Sequence, residues 1–378
     1  MTALHVACQD GKQDIAKILI DAGADLYSVI KMDSYYTPLH IACRAGHIPI
    51  IQLLLDKGVD MNTQGIGNIM CAFTPLEVAI ISNKLTVAKF LLDKKAKANN
   101  KTLTLACERG TLEAVTLLLE RQGWDKKDLI PLEKAFTRDD MDVAMYLINL
   151  GVDFNQKDKR FEKFLHDACE SGHLPLVRVL VEEKGYGIET PIHIDGHENV
   201  RPLHVICNVL NPTKEHFDVV TYLLNKGVNV NAVGRKGNEV FTPLILCRHS
   251  LQLTELLIGG GADVNFQCPN GWSALIELVK DKEEEQNIDV CRYLLEKGAN
   301  VNAKLKLEDK ISVSPLQCVL YRRASKGVNQ FSANYAYSLV RLLVEKGAEV
   351  NTTRDCKSLL EMCIDPDTRK YLTEHGAW

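Results

Sequence analysis

Two histidines and an aspartate, His193, Asp195 and His197, alternate along one short polar segment and are the residues best suited to chemistry. In an extended strand their side chains would point to the same face, and imidazole and carboxylate groups are zinc ligands. No fourth ligand stands at metal-site spacing nearby. A polar loop that turns at Gly196 is the alternative, and we expect no bound metal.

Sequence motifs of enzymes are absent from the chain. It contains no P-loop, no H-E-x-x-H, no G-x-S-x-G and no C-x-x-C. We therefore expect no enzymatic activity and no cofactor. Four other histidines share one position of a repeated segment, which favours a structural role over catalysis. They are His5, His40, His166 and His204.

The elements that must position all these residues repeat along the chain. Thr37 suits a helix N-cap, Pro38 suits the first helical position, and Gly46 suits the helix end. A second apolar stretch with helical spacing follows, and Gly58 closes it. The unit is therefore a helix, a glycine turn, a second helix and an extended loop.

The segment Thr37-Pro38-Leu39-His40-Ile41-Ala42 matches T-P-L-H-x-A, the motif of a repeat of about 33 residues. The chain thus resembles the ankyrin-repeat family over almost its whole length. The resemblance implies an all-α solenoid of stacked helix–turn–helix units with inter-repeat loops or short hairpins. It also implies that the motif histidine forms a hydrogen bond near the helix start. We expect one array over residues 1–378, with eleven repeats that start near residues 2, 37, 74, 101, 130, 163, 201, 242, 273, 314 and 357.

The repeat spacing is irregular. Long inter-repeat loops are expected at residues 27–36, 63–73, 190–200, 232–241 and 303–313. The loops of repeats three to five are short, so we expect an interruption of the loop wall there. Two insertions between paired helices, residues 281–286 and 323–334, are predicted to be loops from their composition.

Charge and hydropathy exclude several classes of partner. The net charge is −4 and the pI is about 6.3, which provides no basic face for nucleic acid. No apolar run reaches the ~18 residues of a membrane span. Because the first repeat begins at the N-terminus, we expect no signal peptide. We expect a monomer in the cytoplasm or nucleus.

The twelve cysteines indicate a reducing compartment rather than a disulfide scaffold. Six share one position of the repeat, Cys8, Cys43, Cys107, Cys169, Cys207 and Cys363, and Cys247 lies one place earlier. Stacked helices are ~8–10 Å apart, too far for a disulfide. These thiols are predicted to be small core residues, whereas Cys71, Cys268 and Cys356 are predicted to be accessible in loops.

Family resemblance implies that a partner binds the concave face, at the loops and at the ends of the first helices. Residues vary freely there while the core positions stay small or apolar, although ordinary solvent exposure would produce the same contrast. The candidates divide into a short N-terminal patch and a longer C-terminal one with stronger aromatic and arginine anchors. They are Tyr35, Tyr36, Arg44, Phe73, Arg109, Arg138, Phe241, His249, Phe266, Trp272, Tyr321 and Arg322. For the aromatic residues at the loop bases, packing within the scaffold is the alternative.

Four positions are candidates for modification. Asn62, Asn265 and Asn351 resemble targets of the asparaginyl hydroxylase that modifies ankyrin proteins, with a leucine eight residues before and an acidic residue two before. A turn role for the same asparagines is the alternative. Ser325 follows two arginines, a pattern that suits some kinases and that also arises by chance.

These observations predict a non-catalytic scaffold that binds a protein or peptide partner. The alternative is a target-recognition arm of a larger protein, such as a ubiquitin-ligase adaptor, a channel or an enzyme.

Overall fold

Several helices begin after a residue whose side chain caps them, for example Thr74, Thr242 and Ser250. The computed structural model describes residues 1–31, 35–65, 72–109, 111–137, 140–154, 157–158, 161–237, 239–280, 287–306, 312–324, 330–354, 357–363 and 365–378. Within that part, twenty-two α-helices form eleven successive pairs, and the few strands are short. The helical fold with short hairpins is the one predicted.

The chain divides into two compact units, Met1–Phe161 and Glu162–Trp378. The assignment of residues 1–378 to one array stays a prediction. The elements of the first unit are α1 (Ala3–Asp10), α2 (Gln13–Asp21), β1 (Ile30–Lys31), β2 (Tyr35–Tyr36), α3 (Pro38–Ala45), α4 (Ile48–Asp56), α5 (Pro75–Ile81), α6 (Leu85–Asp93), α7 (Asn100–Arg109), α8 (Leu112–Gln122), α9 (Ile130–Thr137) and α10 (Met141–Asn149).

The second unit repeats the same alternation and adds more hairpins. Its elements are α11 (Phe164–Glu170), α12 (Leu174–Arg178), β3 (Ile192–Ile194), β4 (His197–Val200), α13 (Pro202–Cys207), α14 (Lys214–Asn225), β5 (Gly234–Lys236), β6 (Glu239–Phe241), α15 (Pro243–Leu246), α16 (Leu251–Gly259), α17 (Ala274–Lys280), α18 (Asn287–Glu296), β7 (Leu305–Lys306), β8 (Ser312–Val313), α19 (Pro315–Ala324), α20 (Gln330–Glu345), β9 (Thr353–Arg354), β10 (Lys357–Ser358), α21 (Leu359–Met362) and α22 (Pro366–Glu374).

In each unit the first helices of successive pairs contact one another, and so do most of the second helices. Leucines from both layers form the core: Leu39 and Leu54 in the first unit and Leu203 and Leu223 in the second are fully buried. A single helix pair could not bury these faces alone, so each repeat depends on its neighbours for stability. Among the described residues, no helix is both long and apolar enough to cross a membrane.

The motif histidine joins the start of a first helix to the following inter-repeat loop. His40 is fully buried. Its Nδ1 accepts from the Thr37 backbone N–H at 3.3 Å and lies 2.8 Å from the Thr37 hydroxyl. Nε2 therefore carries the proton and donates to the Phe73 carbonyl at 2.9 Å. His204 repeats the arrangement, with acceptance from Arg201 N–H at 3.1 Å and donation to the Ala232 carbonyl at 3.0 Å.

Other residue types occupy the histidine position in some repeats. Glu77 accepts from the Thr74 N–H at 2.9 Å, and in repeat ten the Gln317 carbonyl oxygen accepts from the Ser314 N–H at 2.9 Å. The Gln317 amide also donates to the Thr353 carbonyl at 3.2 Å. The structural role predicted for the histidine column is thus confirmed, and a neutral amide fulfils it as well.

Some predicted repeat starts are displaced because a different side chain caps the helix. In repeat four the helix begins at Asn100, because the Asn99 side chain caps it by accepting from the Thr102 N–H at 3.1 Å. In repeat eleven the N-cap is Ser358, one residue after the predicted start, because its hydroxyl accepts from the Glu361 N–H at 3.3 Å. Cys363 accordingly lies one position earlier in the repeat than predicted, and it is the C-cap residue of α21.

Two further features depart from the sequence prediction. α12 continues as a π-helical turn, Val179–Glu183, because the second helix of repeat six must absorb one residue more than its equivalent in repeat two. The insertion at residues 323–334 was predicted to be a loop, but α19 extends to Ala324 and α20 begins at Gln330. The insertion at residues 281–286 lies outside the described residues.

Candidate protein-interaction surface

His193, Asp195 and His197 do not lie along one strand. β3 and β4 form a hairpin whose tip is Asp195 and Gly196, with φ of 48° and 76°. The turn places His193 and His197 on different strands, so the assumption of a single extended strand was wrong. No group of three or more His, Cys, Asp or Glu side chains among the described residues could hold a metal ion.

The hairpins of two successive repeats merge into one sheet in the second unit. β3, β4, β5 and β6 pair in that order, all antiparallel. Glu198 lies opposite Arg235 across β4 and β5, and Lys236 lies opposite Glu239 across β5 and β6. Opposite charges at facing positions favour this pairing. The sheet gives the loops of repeats six and seven a common base.

Aromatic side chains at the loop bases pack into the scaffold. Tyr36 is 8% exposed and stacks on His40, with ring centroids 5.8 Å apart. Phe241 lies edge-on to His204 at 5.4 Å and covers Gly234, where a Cβ would approach the ring to 2.2 Å. Tyr36 was predicted to be a partner-binding anchor, and its burial favours the alternative of scaffold packing. Phe241 is half-buried and is held in the same way.

Other candidates at the loops have mixed exposure. Phe73 is half-buried, and the Lys101 ammonium lies 5.8 Å from its ring centroid. Phe266 is half-buried in the turn after α16, where its N–H donates to the Asp263 carbonyl at 3.1 Å. Tyr35 lies in β2, and its side chain is outside the described part of the chain.

We call the residues at and just after the C-terminal ends of the first helices the first-helix face of each unit. Arg44 and Arg109 are exposed on it in the first unit. In the second unit His249 is half-buried and Lys280 is exposed. Tyr321 and Arg322 lie in α19, but their side chains are outside the described residues, as is the whole of Arg138.

Trp272, in the second unit, is held by contacts of several kinds. Its ring packs against a buried cluster of Ile276, Ala303, Leu305 and Val313. The indole N–H donates to Glu277 Oε2 at 2.8 Å, and the Lys280 ammonium lies 4.0 Å from the ring centroid. The adjacent Gly271 permits this arrangement, because a Cβ there would lie 2.0 Å from the Lys304 carbonyl oxygen.

Glu277 connects this ring to the preceding repeat. Its Oε1 accepts from Arg248 Nη1 at 3.2 Å, and both side chains are about a quarter exposed, at 22% and 28%. Arg248, Trp272, Glu277 and Lys280 therefore form a connected cluster on the first-helix face of repeats eight and nine, which we call the Trp272 cluster. It has two cations and one carboxylate around a half-buried indole. Such a site can accept an aromatic or apolar contact together with a hydrogen-bond acceptor.

Asparagines link the turns of neighbouring repeats. The Asn265 side chain donates to the Gly298 carbonyl at 2.9 Å and accepts from the Asn300 N–H at 2.8 Å. Asn351 makes the same pair of bonds with Gly376 and Trp378, at 3.0 and 3.1 Å. The turn role offered as the alternative for these asparagines is thus observed, while their hydroxylation stays a prediction.

The same link recurs at positions that the hydroxylase pattern does not select. Asn231 bonds to Gly261 and Asp263, and Asn302 bonds to Gly347 and Glu349. In the first unit Asn62 accepts from the Lys97 N–H at 2.9 Å. Ser325 lies outside the described residues.

The repeated cysteines are buried thiols, as predicted. Burial raises the pKa of Cys8 and of Cys107 to about 12. Cys268 was predicted to be accessible, but it is 4% exposed and its thiol donates to the Val240 carbonyl at 2.9 Å. That prediction was wrong because the loop packs against the neighbouring hairpin. Cys71 and Cys356 lie outside the described residues.

Comparison with known proteins agrees with this architecture. The family model described as ankyrin repeats (3 copies) matches residues 1–65, 31–102, 76–158, 103–191, 132–234, 165–267 and 203–305. The Homo sapiens protein called ankyrin repeat and SOCS box protein 6 is 26% identical over 192 residues, which are 46% of this chain and 44% of that protein. The B-cell lymphoma 3 protein homolog of Mus musculus is 28% identical over 147 residues, 38% of this chain and 31% of that protein.

A third relative is more similar over a shorter stretch. Alpha-latrocrustotoxin-Lt1a of Latrodectus tredecimguttatus is 32% identical over 122 residues, 32% of this chain and 8% of that protein. The chain spans less than half of the length of each of these relatives. The matched repeats, the capped helix pairs and the histidine-linked loops agree, and the chain belongs to the ankyrin-repeat family.

Proposed function

We propose that the chain is a non-catalytic scaffold that binds a protein or peptide on the concave face, across the first-helix face of repeats seven to ten. Ankyrin repeats generally serve as protein–protein interaction modules. The observation that carries the proposal is the Trp272 cluster, in which a half-buried indole ring is fixed by a hydrogen bond and a cation.

Pre-organisation makes this cluster suitable for recognition. A side chain that is already held loses little conformational entropy when a partner binds. Trp and Arg are also the residue types that most often dominate binding energy at interfaces. The exposed Lys280 ammonium next to the ring can meet a carboxylate or a backbone carbonyl of the partner.

The remaining properties follow from the same proposal. The partner is a protein rather than nucleic acid, the chain acts as a monomer, and it needs no cofactor. The described cysteines are free thiols, which suits a reducing compartment, cytoplasm or nucleus.

The test combines affinity capture with matched variants. The full chain is used as bait in an extract of its source cells, and each captured protein is measured for affinity to the parent and to Lys280→Ala and Trp272→Phe. Each of these variants should weaken the affinity for a genuine partner, and the tryptophan change should do so by about tenfold or more. The control is Lys297→Ala, because Lys297 also lies over an aromatic ring, Tyr293 at 5.2 Å, but at the end of second helix α18.

Circular dichroism must show that each variant retains the helicity of the parent. If the folded Lys280→Ala and Trp272→Phe proteins bind as tightly as the parent while Arg44→Ala abolishes binding, the site lies in the N-terminal patch and the proposal is wrong.

A second candidate is a target-recognition arm of a larger protein, such as a ubiquitin-ligase adaptor, a channel or an enzyme. The likeness to a relative whose name joins ankyrin repeats to a SOCS box favours it, because this chain spans 44% of that relative. A full-length transcript with a further domain, or capture of ligase subunits that survives the Trp272→Phe change, would support this candidate.

A further inference from the structure

Short inter-repeat connections leave two cavities open in the first unit. Residues 94–99 join α6 to α7, and residues 123–129 join α8 to α9, with no strand in either connection. Cavities of about 580 and 710 Å³ are both lined by residues of the first connection, and they share Ala98 and Asn99 in their walls. We call them together the repeat-four groove. The short loops thus open a groove, where the sequence predicted only an interruption.

Positive charge lines this groove. Lys95, Lys97 and Arg121 lie in the wall of one cavity and Lys101 in the wall of the other. Arg121 is paired with Asp93 at 2.9 Å, and Lys101 lies 3.9 Å from Glu77. Within the described part of the chain, no ion pair holds the exposed ammonium groups of Lys95 and Lys97. They can therefore meet anionic groups of a partner.

The backbone of Lys95 has a conformation that a lysine rarely adopts. Its φ is +70°, in the left-handed region, and the equivalent turn residues Gly58, Gly227, Gly261 and Gly298 have similar φ values of 79° to 94°. Glycine is the relaxed residue in this conformation and a lysine is strained. A cation at the groove entrance therefore replaces the residue that the turn prefers.

The second cavity adds an apolar wall. Leu103 and Leu118 are buried behind it, and Trp124 is half-buried at its edge. The Trp124 indole N–H donates to the Asp128 carbonyl at 3.2 Å, which fixes the ring. Cations beside an aromatic and aliphatic surface suit a ligand with both carboxylates and an apolar side chain.

We propose that the repeat-four groove is a docking site for an acidic peptide segment with an apolar anchor residue. Lys95 and Lys97 face its carboxylates, and the anchor packs against Trp124. Asp93 and Asp125 also line the groove, against four basic side chains. Single-stranded nucleic acid fits less well than a peptide, because one indole offers a single stacking platform. The proposal concerns the first unit and does not depend on the Trp272 cluster.

The test uses fluorescence anisotropy with the full chain and a fluorescein-labelled Ser-Glu-Asp-Leu-Glu-Asp-Ser peptide. The matched neutral peptide has Gln and Asn in place of Glu and Asp, and labelled oligothymidine is the third probe. The acidic peptide should bind, salt should weaken the binding, and the neutral peptide should bind at least about tenfold more weakly.

Lys95→Gly gives the sharpest variant, because its two effects have opposite signs. It should raise the thermal midpoint of unfolding by about 2–4 °C, because it relieves backbone strain. It should also weaken the affinity for the acidic peptide by about threefold, and the double variant with Lys97→Gln should weaken that affinity by about tenfold. Lys89→Gln, on the exposed side of α6 outside the cavity walls, is the matched control and should leave the affinity unchanged. Equal binding of the two peptides, tighter binding of oligothymidine, or unchanged affinity in the double variant would each overturn the proposal.

Discussion

Acidification should destabilise this protein through its buried motif histidines. Burial lowers the pKa of His40, His166 and His204 to about 4, from 6.5 for an ordinary histidine. All three are at most 2% exposed. The unfolded chain therefore binds more protons than the folded chain between pH 6.5 and 4. Their contribution to stability is complete above pH 6.5 and is lost as the pH falls towards 4.

Geometry explains why these rings resist a proton. In His40 and His204 the Nδ1 atom already accepts a backbone N–H and Nε2 already donates to a carbonyl. A second proton on Nδ1 would face a donor in a buried site. With the pKa values above, lowering the pH from 7 to 5 should remove about 2 kcal/mol per histidine from the free energy of unfolding.

The chain offers its own non-titrating replacement. Gln317 makes both bonds of the motif histidine in repeat ten, so His40→Gln and His204→Gln should preserve the linkage. Urea unfolding of the parent and the double variant, followed by circular dichroism at pH 7 and 5, measures the effect. The double variant should lose about 3–4 kcal/mol less than the parent on acidification. His193→Gln, at an exposed position of β3, controls for the general loss of an imidazole.

Equal losses of stability in the parent and the double variant would refute the reasoning. Titration of these histidines would then leave the free energy of unfolding unchanged, and the loss of stability at low pH would come from carboxylates.

Three further predictions concern the core, the thiols and the turns. Leu54→Ala or Leu223→Ala, each at a fully buried position, should lower the free energy of unfolding by about 2–5 kcal/mol; losses below about 1 kcal/mol in denaturant titrations would contradict the packing described. Burial raises the pKa of Cys8 and Cys247 to about 12, so thiol reagents should label these two cysteines only on unfolding. Cys268 is also buried, and mass spectrometry that finds it rapidly labelled in the native protein would contradict that burial. Incubation with an asparaginyl hydroxylase should add one oxygen at Asn265 or Asn351. Asn231 should stay unmodified, because it lacks an acidic residue two positions before it. If the intact mass does not increase, these asparagines are not substrates of the enzyme.

Local signals explain how far the sequence could predict this fold. A threonine cap, a proline at the first helical position and a glycine at the helix end act within one repeat, so they identify the helix pairs directly. Where the cap differs, as with Asn99 and Ser358, the predicted start is displaced by one or two residues. The π-helical turn after α12 depends on a single extra residue, and composition cannot locate such a residue in advance.

The candidate site was predicted only in part. Trp272 stood out as a residue type, but the contacts that fix it come from Glu277 and from Arg248 in the preceding repeat. Pairings between repeats depend on how neighbouring helices align, and no pattern within one repeat specifies them. Lys95 and Lys97 were not singled out from the sequence, because a run of lysines is usually a solvated surface.

Site-specific photo-crosslinking tests the central claim most directly. A benzophenone amino acid placed at Lys280 lies on the first-helix face of the second unit, and the same residue placed at Lys297 lies at the end of a second helix. With the captured partner, the account predicts a crosslinked product from position 280 and little or none from position 297. Crosslinking from position 297 alone would contradict the account and place the partner on the second-helix side.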